Sequence, residues 1–152
     1  MNLSYSRILY YMIVIVFAAI LLTLIALVVL PIILNGFSPL AVVKGYSMLP
    51  TLREGDIVIV QRATPDAIRP GDVVIYSTGG KLIIHRVIKV VIRDGEYYYV
   101  TKGDNNSLPD FMYFEDNIGI PYNRVLGKVV NINGYIVKIP YLGYLALFLR
   151  GG

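Results

Sequence analysis

The sequence predicts a mainly β protein: a single N-terminal membrane-spanning helix followed by a compact antiparallel β domain. Three observations predict it. Residues Ile8 to Leu34 form a run of 27 positions without a charge. Short Val- and Ile-rich segments then alternate with Gly-Gly, Asp-Gly and Asn-Gly turns, and no long stretch of 3.6-residue period interrupts them. The composition agrees. Of 152 residues, 56% are hydrophobic and 16% charged, too apolar for a disordered chain and well below the roughly 25% charge of an ordinary soluble domain. The length allows one domain. The net charge of +4, from 14 basic and 10 acidic residues, is spread along the chain. With no run of five like charges there is no nucleic-acid tail, and weak attraction to anionic lipid headgroups fits better. Cysteine is absent, which excludes a disulfide framework, a thiolate nucleophile and a cysteine metal site.

The elements follow in order: a short tail over residues 1–7, an anchor over 8–34, a β-rich domain over 35–138 and an apolar segment over 139–152. At 1.5 Å per residue the anchor reaches about 40 Å, against a hydrocarbon core of about 30 Å. Tyr10 and Tyr11 suit an interface, and Pro31 is expected to kink or end the helix. The run far exceeds the h-region of a cleaved signal peptide, and no small-x-small site follows it. Arg7 and the amino terminus flank one side, while Lys44 is the first charge beyond the other. The positive-inside rule therefore places the N-terminus in the cytoplasm and the domain outside.

Expected strands are Leu40–Val43, Asp56–Arg62, Asp72–Ser77, Leu82–Ile92, Tyr97–Thr101, Val125–Ile132 and Tyr135–Ile139. Asp94-Gly95 and Asn133-Gly134 are the strong hairpin signals. Gly103–Arg124 lacks alternation and reads as a long loop, of the kind that often carries function. Ile139–Leu149 is uncharged but only 11 residues long, too short to span; it is expected to lie in the interface or to begin a second span.

Three segments carry candidate chemistry. His85 is the single histidine. Alternation places Ile83 and Val87 on its face of the strand and Ile84 and Arg86 on the other, so a core-facing imidazole needs a hydrogen-bond partner. Ser47 sits in Gly45-Tyr46-Ser47-Met48-Leu49-Pro50-Thr51, where Met48 offers an apolar anchor and Pro50 stops the strand from continuing. Thr101-Lys102-Gly103-Asp104-Asn105-Asn106-Ser107-Leu108-Pro109-Asp110 supplies two carboxylates at a strand end, with Gly103 free to turn sharply or to approach another segment closely.

Together these segments resemble the type I signal peptidases, in the archaeal and endoplasmic-reticulum branch. The matching stretches are Gly45-x-Ser47-Met48-x-Pro50-Thr51, Glu54-Gly55-Asp56-Ile57-Val58, Arg69-Pro70-Gly71-Asp72-Val73-Val74, Ile84-His85-Arg86-Val87, Lys102-Gly103-Asp104-Asn105-Asn106 with Asp110, and Val125-x-Gly127-Lys128-Val129. They fall in family order over roughly residues 40 to 130, and His85 stands where bacterial relatives carry lysine.

The resemblance implies that Ser47 is the nucleophile and His85 the general base. Imidazole, with an ordinary pKa of about 6.5, accepts the serine proton near neutral pH, whereas lysine first needs its pKa lowered. Asp110 and Asp104 compete to hold the other ring nitrogen; the family pattern favours Asp110, leaving Asp104 to support the loop or tune the base. The backbone N–H of Ser47 is a candidate oxyanion donor. Gly45 replaces the hydroxyl residue common two positions before the serine in bacterial relatives, so no second donor is legible. The implied activity is a membrane-bound serine endopeptidase that removes signal peptides after small residues at −1 and −3. An extended substrate would pair with strand edges, with Val42, Val43, Ile83 and Ile84 as expected pocket walls. The implied partners are secretory preproteins, the lipid bilayer and other signal peptidase complex subunits or the secretion translocon. No cofactor or metal is implied: one histidine and two separated acids are too few for a zinc or calcium site. Two other readings compete, a repressor-type self-cleaving serine protease and an inactive membrane-anchored interaction subunit.

Overall fold

The computed structural model describes residues 3–149. Met1 and Asn2 of the expected tail, and residues 150–152 of the expected C-terminal segment, lie outside the described residues. The chain divides between Pro39 and Leu40 into two compact units.

The first unit contains helix α1, Leu3–Asn35. It begins ahead of the uncharged run and continues past Pro31, which neither ends it nor marks its last turn. Apolar side chains such as Leu9, Phe17, Leu22 and Leu27 are exposed all round. A helix apolar on every face needs an apolar surrounding, and α1 is the one helix among the described residues long and apolar enough to cross a membrane. The hydroxyl of Thr23, midway along, donates to the Ala19 carbonyl at 2.8 Å, so it adds no bare polar group to that surface.

The second unit is β-rich. Its strands are β1 (Leu40–Val42), β2 (Ile57–Gln61), β3 (Val73–Thr78), β4 (Lys81–Arg93), β5 (Glu96–Lys102), β6 (Ile120–Pro121), β7 (Val125–Val129), β8 (Asn131–Ile132), β9 (Tyr135–Ile136) and β10 (Lys138–Ile139), followed by helix α2 (Gly143–Leu149). The main sheet runs β1-β2-β7-β3-β4-β5-β6, with β10 also on β2, while β8 and β9 form a separate hairpin. Every pairing is antiparallel. Local turn chemistry fixes three hairpins. Gly79-Gly80, Asp94-Gly95 and Asn133-Gly134 each hold both central residues at positive φ, the twist-matched geometry of two-residue hairpin loops.

Ile68, Val74, Tyr76, Val87, Tyr99 and Ile120 form a buried core cluster, with Tyr97, Phe114 and Tyr122 packed against it. Enclosed phenols need partners; buried Tyr99 donates to the Pro65 carbonyl at 2.9 Å and half-buried Tyr122 to that of Ala63 at 3.0 Å. Strand β4 changes neighbours along its length. It pairs with β3 over Lys81–Arg86 and with β5 over Arg86–Arg93, with an irregularity between Val87 and Lys89. His85 therefore lies at the end of the half of β4 that β5 does not cover.

The differences from expectation are local. The strand expected over Val125–Ile132 splits into β7 and β8, and that over Tyr135–Ile139 into β9 and β10, because Val130 and Val137 bond to each other at 3.0 Å as the chain leaves the main sheet and returns. The expected boundary between residues 138 and 139 falls inside β10, so Ile139 belongs to the sheet. Residues 143–149 form a seven-residue helix that no periodicity announced. The long loop is present over its first half and then yields the two-residue strand β6, whose Pro121 is tolerated at a sheet edge.

After β1 the chain makes the turn containing Ser47, and Met48 and Leu52 pin that turn by being almost wholly buried. Leu52→Ala is expected to cost about 2–5 kcal/mol. The check is urea unfolding of the full chain in detergent, read as a lowered midpoint at constant slope.

Candidate active site

The sheet collects three polar side chains on one face. Val74 lies opposite His85 and Tyr76 opposite Ile83 across β3–β4, while Val87 lies opposite Thr101 across β4–β5. By alternation Tyr76, His85 and Thr101 project to the same side. All three are buried, Tyr76 and Thr101 completely. Asp110 caps them from the long loop. Its N–H donates to the Thr101 carbonyl at 2.9 Å and its own carbonyl accepts from Tyr113 at 2.9 Å, which holds it at the start of the 3₁₀ turn Phe111–Tyr113.

A single oxygen, Asp110 Oδ2, receives the three donors: Thr101 Oγ1 at 2.6 Å, His85 Nδ1 at 2.7 Å and Tyr76 Oη at 2.9 Å. An ionised carboxylate only accepts, so Nδ1 carries the hydrogen and Nε2 is left as an acceptor. Nε2 lies 2.9 Å from Ser47 Oγ. Burial, together with the negative Asp110 beside it, pushes the Tyr76 phenol well above its ordinary pKa, so it stays a donor. The sequence alone does not mark Tyr76 and Thr101 as partners of Asp110. Alternation from His85 identifies the face they share, but only the placement of the loop reveals what they hold.

Ser47 is positioned by its own turn. The Leu49 N–H donates to the Tyr46 carbonyl at 3.2 Å and the Leu52 N–H to the Met48 carbonyl at 2.9 Å. The Ser47 carbonyl accepts from the Asn105 N–H at 2.8 Å. This contact needs a bare backbone beside it: a Cβ on Gly103 would stand 2.5 Å from the Ser47 oxygen, so the close approach expected of Gly103 is real. The Ser47 N–H donates to no described group, and Gly45 turns at φ +89° with nothing within 4 Å of where a Cβ would stand.

Asp104 occupies the opposite face of β4. Its carboxylate accepts from Arg86 Nε at 2.8 Å, Arg86 Nη2 at 2.7 Å and Thr51 Oγ1 at 2.6 Å. Arg86 Nη1 reaches the Gly71 carbonyl at 2.7 Å. Burial alone would raise the Asp104 pKa, but the Arg86 and Thr51 hydrogen bonds and the arginine charge together hold it below the ordinary carboxylate range. The two aspartates are thus separated by the neighbouring residues His85 and Arg86, which point to opposite faces.

The four aliphatic residues expected to wall a pocket do not form one wall. Val43 is 2% exposed and belongs to the core. Ile83 is half-buried against the core cluster, while Ile84 faces the other side opposite Ile75. Val42, half-buried, lies on edge strand β1. Among the described residues no three acidic or histidine side chains gather as a metal site would require.

The Peptidase S24-like family matches residues 32–130, the stretch that holds Ser47, His85, Asp104 and Asp110. The chain is 34% identical over 117 residues to the human signal peptidase complex catalytic subunit SEC11C, covering 74% of this chain and 58% of that one. It is 33% identical over 118 residues to the SEC11 subunit of Clavispora lusitaniae, covering 76% and 70%. With the subunit of Yarrowia lipolytica it shares 32% over 124 residues, covering 79% and 68%. The chain therefore spans 58% of the length of its mammalian relatives. By the family match and by these relatives, the chain belongs to the Peptidase S24-like family, in the group that contains the SEC11 signal peptidase subunits.

Proposed function

We propose that this protein is a membrane-tethered serine endopeptidase that removes signal peptides from secretory and membrane preproteins, cutting after small residues at −1 and −3. The observation that carries this reading is the unbroken hydrogen-bonded line from Asp110 Oδ2 through His85 to Ser47 Oγ. Similarity to proteins named as catalytic subunits of the signal peptidase complex supports the substrate class. It also supports assembly with other subunits. Helix α1 supports tethering at a bilayer, and the positive charge of Arg7 ahead of the apolar run supports a cytoplasmic N-terminus with the β unit outside or in the endoplasmic-reticulum lumen.

Ser47 Oγ attacks the scissile carbonyl as its proton passes to His85 Nε2, and Asp110 stabilises the resulting imidazolium through Nδ1–H. The free Ser47 N–H donates to the oxyanion. His85 then delivers the proton to the leaving amine as the C–N bond breaks; a water that gives its proton to the same Nε2 attacks the acyl carbon, the bond to Ser47 Oγ breaks, and the proton returns to that oxygen. Tyr76 and Thr101 donate to the same Asp110 oxygen and keep it aimed at Nδ1. An extended substrate would pair with the Lys81–Ile84 stretch of β4, whose outer edge carries no described strand. Asp104 acts as a positioning residue through Thr51, at the end of the serine turn, and through its neighbour Asn105, whose N–H donates to the Ser47 carbonyl.

The test is cleavage of a preprotein with a small-x-small signal by the full chain in liposomes, with mass spectrometry locating the cut. Cleavage after the −1 residue is expected for wild type, and a loss of at least about 10³-fold for Ser47→Ala and for His85→Ala. Uncut preprotein with wild type, or equal cutting by Ser47→Ala, contradicts the reading.

The two aspartates separate by rate and by pH. Asp110→Asn is expected to lower kcat by about 10⁴-fold, and Asp104→Asn by less. Because the folded pKa of Asp104 is depressed, its contribution to stability is complete above the unfolded value of about 3.9 and is lost as pH falls through the folded one. Unfolding midpoints of wild type and Asp104→Asn should therefore converge on acidification below about pH 4. A constant gap, or a larger kcat loss for Asp104→Asn, reverses the assignment.

A further inference from the structure

The family match ends at residue 130, yet the chain returns to the serine turn after it. Strand β10 pairs with β2, placing Lys138 opposite Val58 and Ile139 opposite Ile57. From there Lys138 Nζ donates to Asp56 Oδ2 at 2.7 Å and to the Thr51 carbonyl at 2.9 Å. Asp56 is 1% exposed, and a carboxylate so enclosed is strongly disfavoured without a counter-charge. Burial would raise its pKa, but Lys138 and the Arg53 and Tyr141 amides hold it below the ordinary range. The same carboxylate oxygen accepts from the Arg53 N–H at 3.0 Å, so it organises the turn that leads out of the serine loop.

Helix α2 closes the arrangement backbone to backbone. The Gly143 N–H donates to the Gly55 carbonyl at 2.8 Å. A Cβ on Gly143 would meet Val42 Cγ1 at 2.6 Å and the Gly55 oxygen at 2.7 Å, and one on Gly55 would lie 2.5 Å from the Tyr144 ring. Gly55 and Asp56 are themselves bonded to Val43, at 3.0 and 2.9 Å. Residues 51–56 are thus held from the β1 side and from the C-terminal side together.

We propose that residues 138–144 form a clamp that sets the position of Ser47, with Lys138 as its positioning residue. The proposal rests on the reading of Ser47 as the nucleophile. Thr51 is the point of transmission: its carbonyl is held by Lys138 and its hydroxyl by Asp104, so the far end of the serine turn is fixed from β10 and from the loop after β5. A displacement of about 1 Å at a reacting atom costs roughly 10²-fold in rate, and the 2.9 Å separation of Ser47 Oγ from His85 Nε2 depends on that turn. Removal of the ammonium leaves Asp56 buried without its cation and the Thr51 carbonyl without this donor. The free edge of β4 is untouched, so substrate affinity is preserved.

The experiment compares full-length wild type, Lys138→Met, Lys138→Arg and Gly143→Ala in detergent by two readouts. Hydrogen exchange is followed in peptides covering residues 44–56 and in those covering β3–β5, and kcat and KM are measured on a preprotein with a small-x-small signal. For Lys138→Met and Gly143→Ala, exchange over 44–56 is expected to rise about tenfold with β3–β5 unchanged, and kcat to fall about tenfold with KM within about twofold. Lys138→Arg should restore most of both. Unchanged exchange and kcat in Lys138→Met and Gly143→Ala overturn the clamp, as does exchange that rises equally in β3–β5 or a change confined to KM. If wild type cleaves nothing, the protease reading fails, while the exchange measurement still decides the clamp.

Discussion

The buried hydrogen bond between His85 Nδ1 and Asp110 Oδ2, 2.7 Å long, is the constraint around which the rest of the β unit is arranged. An imidazole and a carboxylate, each 6% exposed, are tolerated in an apolar sheet only as a satisfied pair. Satisfying them takes β3 for Tyr76, β5 for Thr101 and the long loop for Asp110 itself. The reward for this convergence is directional. With Nδ1 committed to Asp110, Nε2 faces Ser47 as an acceptor, the one arrangement in which a neutral histidine can take a hydroxyl proton.

Strand β4 makes two sites from adjacent residues. His85 looks into the buried polar cluster, and Arg86 looks out toward Asp104, Thr51 and the Gly71 carbonyl. Both faces end on the serine turn, one at the Ser47 hydroxyl and the other at Thr51. The turn is therefore held by charges on one side of the strand while its hydroxyl meets His85 Nε2 on the other. Core residues Met48 and Leu52 supply the remaining anchorage. Geometry that must hold to a fraction of an ångström is in this way over-determined by elements far apart in sequence.

Much of this was legible in the sequence where the physics is local. Glycine-bearing turns fixed the hairpins around residues 79–80, 94–95 and 133–134, and period-two alternation separated the faces of His85 and Arg86. The order of the sequence segments singled out the serine, the histidine and both acids. Contacts between distant segments were not legible. Alternation does not say which loop covers which face, so it does not separate Asp104, which pairs with Arg86, from Asp110, which pairs with His85. Tyr76 and Thr101 read as ordinary strand residues for the same reason. Continuous apolar alternation hid the breaks at Val130 and Val137, which arise where the chain leaves one sheet and rejoins it. Seven residues are too few for a helical period to register, which concealed α2 and its contact with Gly55.

Because the chain has a single histidine, the central bond can be observed directly. The measurement is nitrogen-15 NMR of the full chain labelled at histidine, recorded at a pH where the ring is neutral. The account predicts one imidazole fixed with its proton on Nδ1, that proton far downfield and slow to exchange, and its loss in Asp110→Asn with the fold intact. A ring protonated on Nε2, or one averaging rapidly between tautomers in wild type, would contradict it.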